Sequence, residues 1–330
     1  MTFSYKDVYL NEAATSVGPY EKKGPLKDYF DRTYNDLYFG ENSWEKAEVR
    51  LVKDSLDILL DKLNKKTEDI DLIIGGDLLN QLCATTYGSR GYAKSFMGVY
   101  TACATSTEAL IIGASLVEAN KINNCICTVS SHNTSSEKQF RNPTEYGAPK
   151  PLTSTFTTTG AASCYLSKTK SDIKIESSTI GKIMDYGQNN PNHMGAAMAP
   201  GAAYTINQHL SDLKRTPDYY DLILTGDLGI YGKKILRDLL KEEYDIDLGN
   251  NYDDCGVLLY DLKKQKEVNA GGSGIACSAV VNYSYVLEKL RKKEIKKVLL
   301  VATGALFSPT FLFQKQHILS IANAVSLEAV

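Results

Sequence analysis

One eight-residue stretch occurs twice in this chain. Asp71-Leu72-Ile73-Ile74-Gly75-Gly76-Asp77-Leu78 returns almost letter for letter as Asp221-Leu222-Ile223-Leu224-Thr225-Gly226-Asp227-Leu228. A second pair follows the same order, Cys125-Ile126-Cys127-Thr128-Val129-Ser130-Ser131 matching Val298-Leu299-Leu300-Val301-Ala302-Thr303-Gly304. Repetition of this kind implies a duplicated structural unit. The copies are continuous apolar runs, the pattern of strands in a sheet covered on both faces. Between them each half has a small-residue helix start, Cys103-Ala104-Thr105 in the first and Ser273-Gly274-Ile275-Ala276 in the second. The expected fold is α/β, with duplicated αβ halves related by pseudo-two-fold symmetry and helices against largely parallel strands. The polar segment Ser167-Lys168-Thr169-Lys170-Ser171-Asp172 places the boundary, giving halves 1–168 and 169–330. A site is expected where helix N-termini and strand C-termini of the halves meet.

Cys103 stands at such a place. Thr101-Ala102-Cys103-Ala104-Thr105-Ser106-Thr107 opens a run with the composition of a buried helix, through Leu110, Ile111, Ile112, Ala114, Leu116 and Val117. Small neighbours admit other backbone and a ligand, and the hydroxyls of Thr105, Ser106 and Thr107 can satisfy free backbone groups in the first turn. A helix N-terminus favours the thiolate, which makes Cys103 a candidate nucleophile or the edge of an anion site. The competing reading is a cysteine that simply packs.

The remaining segments are read by pattern. A short strand near Val8-Tyr9-Leu10 precedes a loop broken by Gly18-Pro19 and Gly24-Pro25 and anchored by Tyr29, Phe30, Tyr34, Tyr38 and Phe39. Ser43 caps a helix whose apolar positions are Leu51, Leu56, Leu59, Leu60 and Leu63. Residues 131–160 and 184–201 read as irregular, and long irregular segments are often functional. The basic run from Lys289 to Lys297 reads as a solvated helix end before a strand.

Composition excludes several classes. The formal net charge is -2 with a computed pI near 6.1, which argues against nucleic acid as the main partner. The 7 cysteines are scattered without metal-ligand spacing, so reduced thiols and no structural zinc are expected. The N-terminus lacks the layout of a signal peptide, and no apolar run approaches the roughly 20 residues needed to cross a bilayer.

Thr101-Ala102-Cys103-Ala104-Thr105 resembles the nucleophile motif of β-ketoacyl synthases, and the duplicated layout resembles the thiolase fold. Asn192-His193-Met194 with Ala199-Pro200-Gly201-Ala202 is similar to the synthase loop beside the acyl pocket. The resemblance implies two further polar groups against the cysteine, histidines or a histidine and an asparagine, which activate the thiol and hold the thioester oxygen. At the matching positions stand Asp227 and Ser273. An ionised aspartate would raise the thiol's pKa and repel an oxyanion, so an enzyme of this class is not expected.

Longer strings carry a more specific resemblance. Gly24-Pro25-Leu26 with Tyr29-Phe30-Asp31, Gly40-Glu41-Asn42-Ser43-Trp44-Glu45-Lys46-Ala47-Glu48, Ser130-Ser131-His132-Asn133, Glu137-Lys138-Gln139-Phe140-Arg141, Pro143-Thr144-Glu145-Tyr146-Gly147 and Met194-Gly195-Ala196-Ala197-Met198-Ala199-Pro200 look like the stage V sporulation protein AD family. This implies a non-catalytic protein that binds dipicolinic acid, free or as its calcium chelate, with no cofactor beyond that calcium. It also implies work with stage V sporulation membrane proteins to load the compound into the spore, and a peripheral place at the spore inner membrane. The superfamily implies a homodimer. The site expected on this basis comprises Cys103, Asp227 and Ser273 in one cavity. His132, His193, Arg141 and Lys138 are its polar candidates, and Met194, Met198 and Phe307 line the ring pocket. Asp227 would repel a bare dianion but could face calcium in the chelate.

Overall fold

The computed structural model describes residues 1–140 and 149–330. Ten strands carry the architecture: β1 (Tyr9–Val17), β2 (Leu72–Gly76), β3 (Ser95–Gly98), β4 (Asn124–Ser131), β5 (Gly160–Ser167), β6 (Ile173–Ile180), β7 (Leu222–Thr225), β8 (Tyr252–Asp254), β9 (Lys297–Leu306) and β10 (Leu319–Ala329). They lie side by side in the order β8-β7-β9-β10-β6-β1-β5-β4-β2-β3. Outward from the centre the first half runs β1-β5-β4-β2-β3 and the second β6-β10-β9-β7-β8, the same path taken twice. The repeated stretches seen in the sequence occupy equivalent places, β2 with β7 and β4 with β9.

The strand directions differ from the largely parallel expectation. β2 runs parallel to β3 and β4, and β7 parallel to β8 and β9, but β5 and β10 pair antiparallel on both sides. The parallel strands are joined by crossovers, which parallel pairing requires. β5 starts beside the end of β4, Gly160 pairing with Ser131, so it must run back.

Helices complete the layers: α1 (Trp44–Leu63), α2 (Thr105–Glu118), α3 (Asn133–Phe140), α4 (Met194–Leu213), α5 (Gly229–Tyr244) and α6 (Ile275–Val281). The Ser43 hydroxyl caps α1 by accepting from Lys46 N, and Leu51, Leu56, Leu59 and Leu60 bury its inner face as their spacing predicts. α2 and α6 are buried between the two sets of strands, and Ser106 Oγ meets Ser278 Oγ at 2.9 Å across them.

Two segments read as irregular are helical in part. α3 lies within 131–160. α4 begins at Met194 and continues through Pro200, although proline removes a helix hydrogen bond. Packing outweighs that cost here. Met198, Ala199, Ala202, Ala203 and Ile206 are fully or almost fully buried, and a side chain at Gly195 would stand 2.3 Å from Leu228 O.

Candidate functional site

The turn before α2 presents Cys103. Ala102 adopts φ +50°, a left-handed conformation that turns the chain sharply between Thr101 and Cys103. Thr105 fixes this turn: its Oγ1 donates to Ala102 O at 2.6 Å and accepts from Thr101 N at 3.0 Å. Thr101 Oγ1 donates to Glu108 at 2.9 Å. Gly304 of β9 passes so close that a Cβ there would stand 2.3 Å from Thr101 O.

From the second half, Asp227 follows β7 and Ser273 precedes α6. Asp227 is buried and saturated with donors. Ser273 Oγ and Gly274 N each donate to Oδ2 at 3.0 Å, and Thr303 Oγ1 donates to Oδ1 at 2.6 Å. Gly274 holds φ +92°, a conformation available to glycine and strained for other residues. Asp254 shapes the turn below: its carboxylate accepts from Leu228 N at 2.9 Å, Gly229 N at 3.0 Å and Thr225 Oγ1 at 2.7 Å. Burial pushes Asp254 up to about 7. Burial also raises Asp227, against its four hydrogen-bonding neighbours Thr303, Cys103, Ser273 and Gly274.

The sulfur of Cys103 therefore meets a carboxyl group. Burial first, and then the charge of Asp227, push the thiol well above its ordinary range. This overturns the expectation that the helix N-terminus favours the thiolate: desolvation and a neighbouring acid outweigh the dipole. None of the 4 histidines supplies an imidazole to it. His132 bonds Leu37 O through Nε2 at 2.8 Å and stacks edge-on against Phe39. His193 caps α4 by accepting from Ala196 N at 3.3 Å. His209 lies between Thr179 and Tyr220, and His317 pairs with Asp185.

A cavity opens beside Cys103, with free space of about 550 Å³ counted to its mouth. Its apolar lining comes from Leu78, Tyr100, Phe140, Met194, Met198, Ala305 and Phe307. Its polar lining comes from Ser136, Glu137, Thr157, Ser273 and the backbone of Gly274. Glu137 accepts from Thr157 Oγ1 at 2.9 Å and lies 3.6 Å from Lys150 Nζ.

Of the residues expected here, Cys103, Ser273, Met194, Met198 and Phe307 line one cavity. Asp227 sits behind that wall, its oxygens occupied by protein donors rather than turned to the space. His132 and His193 do not line the cavity, because the loop around Leu37 and the first turn of α4 engage them. Lys138 points away, bonded to Glu45 at 3.3 Å. Arg141 lies outside the described residues. Sequence reasoning missed Ser136, Thr157, Leu78 and Tyr100, and had not singled out Glu137 or Phe140 as wall residues. The i, i+4 spacing of Ser136 and Phe140 was a signal only once α3 was known to be a helix. Among the described residues no cluster of His, Cys, Asp or Glu could hold a metal ion, and no helix is long and apolar enough to cross a membrane.

The architecture matches solved synthases of the thiolase type. 3-Oxoacyl-[acyl-carrier-protein] synthase III from Aquifex aeolicus is 12% identical, with a TM-score of 0.58 over 97% of this chain and 99% of that one. Cerulenin-bound OleA from Xanthomonas campestris is 12% identical, with a TM-score of 0.63 over 99% of this chain and 98% of that one. At these identities the likeness shows the thiolase-like fold. Sequence comparison is more specific. Stage V sporulation protein AD of Bacillus subtilis is 46% identical over 321 residues, 97% of this chain and 94% of that protein. A family model described as Stage V sporulation protein AD matches residues 1–328. The chain thus belongs to the stage V sporulation protein AD family, and its role lies in sporulation.

Proposed function

We propose that this chain is a non-catalytic binding protein for dipicolinic acid, free or as its calcium chelate, and serves its uptake into the developing spore. One observation carries the reading: the sulfur of Cys103 faces the Asp227 carboxyl, itself tied to Ser273, where acyl transfer would need an imidazole or amide. A thiol held protonated in this way is a poor nucleophile, and a carboxylate beside it opposes the charge that builds on a thioester oxygen.

The cavity suits a flat ring with polar ends. Phe307, Met194 and Met198 offer apolar surface to a pyridine ring, and Ser136, Thr157 and Ser273 offer hydroxyls in the same cavity. Glu137 in the wall disfavours a bare dianion and favours the chelate, whose calcium offsets the carboxylate charges. The exposed edge strand β3, with Phe96 and Met97 uncovered, supports pairing with a second copy as a homodimer. On this reading the chain sits peripherally at the spore inner membrane, with other stage V sporulation membrane proteins as its partners.

Titration calorimetry of the purified chain with dipicolinate, with and without calcium, tests the proposal. Heat and a raised melting temperature are expected, and neither in both conditions removes it. Incubation with acyl-coenzyme A followed by mass spectrometry tests the alternative of an active acyltransferase. A stable adduct on Cys103, lost in Cys103→Ala, would favour that alternative.

A further inference from the structure

The buried hydroxyls around the cavity are almost all committed to the protein. Thr157 Oγ1 donates to Glu137 at 2.9 Å and Ser273 Oγ to Asp227 at 3.0 Å. On the face of α3 turned to α1, Ser135 Oγ donates to Glu48 at 2.9 Å. Ser136 is the exception. It stands in the cavity wall, is 2% exposed, and its Oγ has no hydrogen-bond partner among the described residues. A hydroxyl taken out of water without a partner costs free energy, so an unpartnered one in the wall of a cavity points to a partner that arrives with the ligand.

We infer that Ser136 is the specificity-determining donor of this cavity and bonds a carboxylate oxygen of the ligand. The inference rests on the dicarboxylate reading given above. α3 fixes the geometry. Ser135 is anchored to Glu48 and Glu137 to Thr157, while the Ser136 hydroxyl between them in the chain is bonded to no described residue. The group it meets is an acceptor on a ligand whose ring packs against the apolar lining, Phe307 and Met198 among it.

The test uses the full chain, wild type and Ser136→Ala, titrated with dipicolinate in calcium-containing buffer, with thermal melting of each protein alone. A hydrogen bond to a charged acceptor contributes enough that its loss weakens binding about ten-fold or more. The expected result is that loss, with a melting temperature unchanged or raised because the hydroxyl has no bond in the free protein. Unchanged affinity in Ser136→Ala, or a clearly lowered melting temperature, overturns the inference and leaves the dicarboxylate reading standing. No binding by the wild type overturns that reading and the inference with it.

Discussion

Ser273 donates its hydroxyl to Oδ2 of Asp227 at 3.0 Å, and Gly274 N reaches the same oxygen at 3.0 Å. The carboxylate thereby joins the turn before α6 to β9, where Thr303 holds its other oxygen at 2.6 Å. Cys103 is the neighbour whose chemistry this arrangement sets.

Asp227→Asn keeps the shape and removes the charge. An asparagine can place its oxygen toward Gly274 N and its amide toward the Thr303 hydroxyl, which also accepts. The Cys103 thiol then falls toward its ordinary range, and alkylation by iodoacetamide at pH 8, followed by mass spectrometry, accelerates by about ten-fold for each pK unit recovered. An unchanged rate would assign the effect to burial alone.

Stability should fall as pH rises from neutrality. Burial and then Asp77 push Glu48 up to about 8, and burial pushes Glu21 and Asp254 up to about 7. The folded chain keeps protons there that the unfolded chain releases near pH 4, so this stability is present at low pH and lost as pH rises through the folded values. Buried His132 and His209, both lowered to about 4, have the opposite sign, and their contribution is lost as pH falls from 6.5 to 4. Between pH 6.5 and 8 the carboxyls act without that opposition. Glu48→Gln should flatten the decline of the urea midpoint across this window.

Gly304→Ala should disturb the Cys103 turn. The new methyl would stand 2.3 Å from Thr101 O, a backbone atom that cannot move alone. Overpacking of this kind costs about 1–3 kcal/mol. Thermal melting should show the loss, and dipicolinate binding should weaken with it.

Phe307→Ala probes the apolar wall. The side chain is only partly buried, so the fold should tolerate the change, while ring packing worth about 1 kcal/mol or more is lost from a bound aromatic. Calorimetry should show dipicolinate binding weakened by roughly five-fold or more.

Some of this was legible in the residues. The paired runs at Asp71 and Asp221 gave away the duplication because strands buried on both faces are written as unbroken apolar stretches. Cys103 and Ser273 were brought to one cavity by the resemblance to the thiolase-like superfamily, and Met198 and Phe307 followed only as apolar candidates for its lining. Asp227 was placed one layer too far forward, since sequence does not reveal that Ser273, Gly274 and Thr303 satisfy its oxygens from within. His132 follows a central strand as expected, yet its ring turns to Leu37, in a loop whose path depends on tertiary contacts. Glu48 reads as one more charged position on an amphipathic helix. Its burial against Ser130 and Ser135 depends on α1 packing over the end of β4. Ser136 and Glu137 were hidden in a polar segment with too weak a periodicity to identify as α3.

The seam at the middle of the sheet has a mechanical meaning. β1 and β6 share a single register pair, Tyr9 with Lys174, whereas β9 and β10 run together over ten. Backbone bonding between the repeated units is carried instead by Thr2–Ser4 along β6 and by Phe156–Thr157 beside Gly272–Ser273, while α2 and α6 touch through Ser106 and Ser278. A force that tilts one unit against the other, from an assembly partner or from cargo, would load the short pairing of Thr157 with Ser273, both of them residues of the cavity lining.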